Sequence, residues 1–284
     1  SLVHVPGSFR DPGNRVFMDG DKVVRGLDQK SHQNFNNLEK TPFFRFLLEN
    51  NMVVETASVR PMAVTASPGS GGEWAAFIEH ERIPFISYCY EWPFSMLRRA
   101  ALLQLRIIEK AIENGWTLKD ATPFNIQWVG PKPKFIDIPS FEQMEKGEPW
   151  LGYRQFCSMF LIPLMMKAHL GIDHIPLLRS NLDGISPTEA VKYFRGSSRF
   201  KRGVIPHVIL PARVENRILA TERDRAPAKH RVARPHSDAM VLGLIQSMIR
   251  LVKNLSVDIG HSDWSQYDQT HSYADADFEA KKAF

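Results

Sequence analysis

The chain has 284 residues, of which 43% are hydrophobic and 24% are charged, and its formal net charge is +5. These values are typical of a globular protein with a sizeable core, and they exclude wholesale disorder. The two isolated cysteines, Cys89 and Cys157, argue against a disulfide framework and for a reducing compartment. The first residues lack the pattern of a signal peptide and no apolar run is long enough to span a membrane, so we expect a cytoplasmic protein.

The first ninety residues predict a small antiparallel sheet with one interrupted helix. The stretch NRVFMDGDKVVRGL indicates a hairpin whose turn lies at Asp19 and Gly20. A helix is predicted from an N-cap at Ser31 to Asn50, with an interruption or restart at Pro42. MVVETASV predicts a further strand, and WAAFIEHERIPFISYCY predicts a second hairpin.

The composition becomes helix-rich from Ser95 onward. SMLRRAALLQLRIIEKAIENG has apolar residues near helical spacing, and an almost wholly apolar helix is predicted over 156–170. A late helix is predicted in SDAMVLGLIQSMIRLVKNL. We therefore expect an α+β protein with a β-rich part over 1–92, a helical part over 93–260 and a polar linker or tail over 261–284.

A block of positive charge covers residues 199–234, which hold ten lysines and arginines against three acidic residues. Such a block could bind the phosphates of nucleic acid, a lipid surface or an anionic glycan. No aromatic residue follows Phe200 within it, so base stacking has little support. We predict a solvated loop here and no nucleic-acid partner.

The stretch TLKDATPFNIQWVGPKPKFIDI, residues 117–138, contains the strongest candidate for a catalytic site. IQWV and KFIDI read as two strands joined by GPKP, and their pairing would return Asp137 beside Asn125. Phosphoryl transfer needs a carboxylate to deprotonate the acceptor hydroxyl, here Asp120, and oxygen ligands for Mg²⁺. The alternative is an ordinary hairpin with polar residues at its turns, although a carboxylate in an apolar strand favours a paired or metal-facing role for Asp137.

The motifs LKDATPFN and FID together resemble the catalytic loop and metal-binding aspartate of the protein-kinase-like superfamily, especially its aminoglycoside-phosphotransferase-like branch. The order of hairpin, helix, hairpin, crossover, long helix and catalytic loop agrees with that resemblance. DPGNRVF, YEWPFSML, FIDIPSFE and PWLGYRQFC are similar to the kinase-like N-terminal region of bacterial two-domain proteins. Those proteins continue into a class I S-adenosylmethionine-dependent methyltransferase.

The resemblance implies a bilobal fold, with a small β-rich lobe and a larger helical lobe, and it implies ATP and Mg²⁺ as cofactors. Asp120 matches the catalytic base and follows Lys119, while Asn125 and Asp137 match the metal ligands. The candidates for nucleotide binding lie in the sheet, the first helix and the crossover between the two parts, namely Arg25, Lys22, Gly13, Glu39, Tyr88, Tyr90 and Glu91.

Several departures from the family pattern leave two functions open. No G-x-G-x-x-G sequence is present, and Arg25, with Lys22 as its rival, stands where a strand lysine is expected. The presence of all three matching residues, Asp120, Asn125 and Asp137, favours a phosphotransferase acting on a small-molecule or glycan hydroxyl. The departures favour an inactive nucleotide-binding module that positions an attached methyltransferase domain. A third reading, nucleic-acid binding, depends on the charge of the basic block alone.

Overall fold

The computed structural model describes residues 2–5, 13–59, 74–145, 147–224, 237–258, 277, 279 and 280, with the side chains of 218–224 excepted. It is a mixed α/β structure in which an antiparallel sheet precedes a series of helices. The strands are β1 Val3–His4, β2 Asn14–Asp19, β3 Lys22–Leu27, β4 Thr56–Val59, β5 Ala76–His80, β6 Trp116–Leu118, β7 Ile126–Val129, β8 Lys132–Phe135 and β9 Phe141–Gln143. The α-helices are α1 Gln29–Glu39, α2 Pro42–Glu49, α3 Phe94–Glu113, α4 Tyr153–Phe156, α5 Ile162–Leu170, α6 His174–Ser180, α7 Pro187–Ala190, α8 Leu210–Asp224 and α9 Asp238–Asn254.

The first five strands form one antiparallel sheet in the order β1-β2-β3-β5-β4. The predicted hairpin is confirmed, since β2 and β3 pair from Asn14 opposite Leu27 to Asp19 opposite Lys22. Gly20 has φ of +59° in its turn, a conformation that glycine adopts without steric cost. The second predicted hairpin is wrong, because β5 already has β3 on one side and β4 on the other and the chain after His80 leaves the sheet.

Side-chain caps define where the first two helices begin. Asp28, and not the predicted Ser31, caps α1, because its carboxylate accepts the N–H of Ser31 at 2.7 Å. The predicted restart at Pro42 is confirmed, because α2 begins there with Thr41 as its N-cap.

One apolar core joins the sheet to the helices. α3 is the central element: its buried face includes Leu97, Leu105 and Ile108, and α9 packs along it. The core cluster is continuous from Leu27 in β3 to Leu255 after α9. A helix over the predicted apolar segment is confirmed, although residues 157–161 form a π-helical turn between α4 and α5.

The basic block is partly helical, which corrects the predicted loop. A π-helical turn over 205–209 leads into α8, and Val208, Ile209 and Ala212 are buried. These apolar positions recur at helical spacing among the cations, so burial of one face stabilises the helix. Residues 225–236 of the block, and nearly all of the predicted tail, lie outside the described part. Within the part of the chain that the structure describes, no helix is both long and apolar enough to cross a bilayer.

Candidate functional site

The β7–β8 hairpin brings Asn125 and Asp137 together, as predicted. Asn125 precedes β7 and Asp137 follows β8, and the strands pair from Ile126 opposite Phe135 to Val129 opposite Lys132. The N–H of Ile136 donates to the carbonyl of Asn125 at 2.9 Å. The Nδ2 atom of Asn125 lies 3.4 Å from Oδ2 of Asp137. The hairpin thus presents a carboxylate and an amide side by side.

Arg25 reaches from β3 of the sheet to this hairpin. Its Nη1 atom donates to Oδ1 of Asp137 at 2.6 Å and to Oδ1 of Asn14 at 3.1 Å. The side chains of Arg25 and Asp137 are only 12% and 25% exposed, so this ion pair is partly shielded from water. The Nε atom of Arg25 is buried and has no hydrogen-bond partner among the described residues. A guanidinium N–H without a partner can donate a hydrogen bond to an anion that reaches this cluster.

The other predicted ligands Lys22, Glu39 and Gly13 have different recorded partners. Lys22 forms an exposed ion pair with Glu79 at 2.9 Å, which raises the pKa of the Lys22 ammonium. Glu39, predicted as the helix partner of Arg25, instead accepts a hydrogen bond from Ser58 at 3.3 Å. The carbonyl of Gly13 accepts the N–H of Asp28 at 2.9 Å. Of the two rival residues, Arg25 thus pairs with Asp137 at the hairpin, whereas Lys22 pairs with Glu79.

The loop that carries Asp120 is fixed through its backbone. The amide of Gln104 on α3 donates to the carbonyl of Asp120 at 3.4 Å, and the N–H of Ala121 donates to the side chain of Gln155 at 2.6 Å. Gln104 is fully buried, so the first of these anchors is held rigidly in the core. Asp120 itself is an exposed residue. Its neighbours hold the main chain while the carboxylate reaches the surface.

A cavity of about 590 Å³ lies beside this loop, and Lys119 and Asp120 line it. Its other polar walls come from the start of the helical segment at 154–158 and from residues 181–189. Two glycines allow these elements to approach closely: a Cβ on Gly184 would collide with the carbonyl of Ser158, and one on Gly152 would lie 2.9 Å from the Cβ of Ala121. The ammonium of Lys119 is 3.1 Å from Glu142, so its charge is partly compensated.

In the crossover between β5 and α3, several backbone groups are hydrogen-bonded to side chains. The side-chain amide of Gln127 on β7 accepts the N–H of Ser87 and donates to its carbonyl, both at 3.0 Å. The carboxylate of Glu91 accepts the N–H of Tyr88 at 2.7 Å. The rings of Tyr88 and Tyr90 stack with centroids 5.4 Å apart. Of the crossover residues predicted to bind the nucleotide, Tyr88 thus has its backbone N–H already engaged.

The donor set at the hairpin is compatible in kind with Mg²⁺. Carboxylate and amide oxygens are hard ligands, and Mg²⁺ commonly takes one or two carboxylates together with substrate phosphates. Asp137 supplies the carboxylate, and the amide of Asn125 supplies an oxygen when it is turned by 180°. No group of three or more His, Cys, Asp or Glu side chains with metal-binding geometry occurs among the described residues. Two protein ligands completed by phosphates are therefore the arrangement that the site could hold.

Three buried titratable groups, His80, Cys89 and Cys157, have strongly shifted pKa values. Burial, and secondarily the charge of Arg25, lowers the pKa of His80 to about 3. His80 is bonded to Thr56 at 2.9 Å and stays neutral near neutral pH. Burial raises the pKa of each cysteine thiol, Cys89 and Cys157, to about 12. Neither thiol is therefore suited to nucleophilic chemistry.

Sequence reasoning missed three polar residues that shape the site, Asn14, Gln104 and Gln127. All three are buried. The sequence does carry a signal for the two glutamines, because each interrupts an apolar run, ALLQLRII in one case and NIQWV in the other. A polar side chain at a buried position must find a hydrogen-bond partner, which makes such interruptions informative.

Comparison with known proteins gives one extended similarity. The chain is 32% identical over 271 residues to the nodulation protein NoeA of Rhizobium meliloti (strain 1021), an alignment that covers 95% of this chain and 55% of that protein. The chain thus spans about half the length of this relative. No protein-family model matches the chain.

Proposed function

We propose that this chain is a kinase-like phosphotransferase domain that uses ATP and Mg²⁺ to phosphorylate a hydroxyl group of a small molecule or glycan. The observation that carries the proposal is the convergence of Asn125, Asp137 and Arg25 at one point. The loop that precedes Asn125 carries Asp120, which lines a cavity. The order of the sheet, the crossover, α3 and the β7–β8 hairpin supports a bilobal, protein-kinase-like arrangement. The similar protein is named for nodulation, which is a process and not a reaction, so the proposed reaction is based on the residues of the site.

Each residue has a separate task in this proposal. Arg25 binds phosphate oxygens through the N–H groups that it does not use on Asp137 and Asn14. Asp137 and Asn125 would hold Mg²⁺, which when bound neutralises charge on the phosphates. Asp120 accepts the proton of the acceptor hydroxyl, which lies in the cavity that Asp120 lines. The cavity volume of about 590 Å³ is within the range of small-molecule sites.

The test is to measure nucleotide binding and phosphate release separately. ATP at about a hundred times its dissociation constant adds roughly 2.7 kcal/mol to the free energy of unfolding, which raises the melting temperature by several degrees. We expect Asp137→Ala to abolish the Mg²⁺-dependent part of this shift. We expect Asp120→Asn to keep the shift and to lower release of inorganic phosphate from ATP, with water replacing the acceptor, by about 10²- to 10⁴-fold.

A matched control for Asp120 is Asp183→Asn, which changes another exposed carboxylate of the same cavity. We expect this control to leave phosphate release from ATP near the wild-type rate. Equal loss of ATP binding in the Asp120 and Asp137 variants would show that Asp120 has been given the wrong role. Equal loss of phosphate release in the Asp120 and Asp183 variants would show the same.

A second candidate function is an inactive module that positions an attached methyltransferase domain. The engagement of the Tyr88 N–H group by Glu91 favours it, because adenine would have to displace this contact to bind there. The length of the similar protein, of which this chain spans 55%, leaves room for such a domain. A wild-type protein whose melting temperature does not respond to ATP, with or without Mg²⁺, would favour this candidate.

A further inference from the structure

A second concave surface lies away from the candidate site, and we call it the α2–α3 groove. It has a volume of about 640 Å³ and is formed by the end of α2, the residues that follow it, one face of α3 and the start of β8. It shares no lining residue with the cavity beside Asp120. Nothing in the proposed phosphotransferase reaction uses this groove.

Cations from two elements converge in the α2–α3 groove. Arg99, Arg106 and Lys110 come from α3 and Lys132 from the start of β8, whereas Glu109 is the one acidic residue among those that line it. Four cations and one acid give a charge of +3, which becomes +2 when the contact of Lys110 with Glu113 at 2.7 Å is counted. Among the described residues, Arg99, Arg106 and Lys132 have no recorded ion pair.

The groove also offers an apolar surface and one oriented guanidinium. Phe46, which is 39% exposed, and Met52 contribute to its wall. The guanidinium of Arg99 lies 5.9 Å from the ring centroid of Trp128, a cation–π contact that limits its orientations. A ligand for this surface therefore combines multiple negative charges with an apolar part.

We propose that the α2–α3 groove binds a small ligand that carries a di- or triphosphate group, either free or attached to a nucleoside. Guanidinium groups bind phosphate oxygens in pairs, and a positive charge of two or three matches such a group. The concave shape and a volume in the range of small-molecule sites favour a compact ligand over an extended polyanion. Phe46 then contacts the apolar part when one is present. This proposal is independent of the phosphotransferase reaction.

The test is calorimetric titration of the full chain with sodium tripolyphosphate, in parallel with ATP and adenosine. The groove variant is Arg106→Glu with Lys132→Glu, both at exposed positions that tolerate substitution. The control with the same charge change is Lys30→Glu with Lys192→Glu, also exposed and outside the groove. A milder variant, Arg106→Gln with Lys132→Gln, serves if the charge reversals lower the melting temperature of the free protein.

We expect tripolyphosphate to bind the wild type, with at least tenfold weaker binding in the groove variant and unchanged binding in the control. Arg25→Met, at the candidate site, should leave unchanged the part of this binding that depends on Arg106 and Lys132. If ATP but not adenosine shows the same dependence on Arg106 and Lys132, the phosphate is one carried by a nucleoside. Absence of binding to the wild type, equal weakening in the control, or loss in Arg25→Met with retention in the groove variant would overturn the proposal.

Discussion

The ion pair between Arg25 and Asp137 gives the sharpest quantitative prediction. At 2.6 Å and an effective dielectric constant of about 20, two unit charges attract by about 6 kcal/mol. Desolvation of two side chains that are 12% and 25% exposed offsets more than half of this attraction. We therefore expect a coupling energy of about 2 kcal/mol, well above that of a fully exposed pair. Arg25→Met alone should lower the free energy of unfolding by about 3 kcal/mol, because it leaves the Asp137 carboxylate without its cation.

The assay is urea denaturation of four proteins: wild type, Arg25→Met, Asp137→Asn and the double variant. Similar m-values across the set show that the denatured state is unchanged. The control is the Lys22→Met and Glu79→Gln cycle, because that ion pair also has its cation on β3 but is more exposed to water. A coupling energy for Arg25 and Asp137 that is no larger than that of the control pair would refute the reasoning. The site would then consist of two solvated charges.

Two further predictions concern stability. Burial lowers the pKa of His80 to about 3 and that of His207 to about 4, so below pH 6.5 the unfolded chain takes up protons that the folded protein excludes. The free energy of unfolding should fall by about 2 kcal/mol per histidine between pH 7 and pH 5, and a slope unaltered in His80→Gln would contradict this. Gly184→Ala should lower the free energy of unfolding measured by chemical denaturation by about 2–4 kcal/mol, because φ is +81° and the new Cβ meets the carbonyl of Ser158. The control is Gly243→Ala, at an unstrained helical position with open space around it.

Local rules predicted the elements whose signals lie within a few residues. The turn at Asp19 and Gly20 specifies the β2–β3 hairpin. The short connection within GPKP specifies the β7–β8 hairpin, and the pairing of its strands brings Asp137 back beside Asn125. The helical period in α3 was equally visible, because one face of that helix is buried almost throughout. In these cases a short stretch of sequence contains the whole signal.

The contacts that define the candidate site depend on residues far apart in the chain. Arg25 and Asp137 are 112 positions apart, and Ser87 and Gln127 are 40 apart. Neither pairing follows from composition or periodicity, since both depend on how the sheet packs against the hairpin. The missed helix over 210–224 has another cause: the density of charge concealed the apolar positions that bury one face.

Ser87 has consequences for motion within the protein. Its N–H and carbonyl are both bonded to Gln127, and its hydroxyl accepts the indole N–H of Trp92 at 2.8 Å. The backbone of this crossover residue is thus bonded to β7, and its hydroxyl is bonded to Trp92 at the end of the crossover. A hinge works by letting a few backbone dihedrals rotate, and a residue held at three atoms resists that rotation. Opening and closing of the sheet against the helices would have to occur around other residues of the crossover, and the amide of Ser87 should exchange with deuterium far more slowly than its exposed neighbours Phe85 and Ile86.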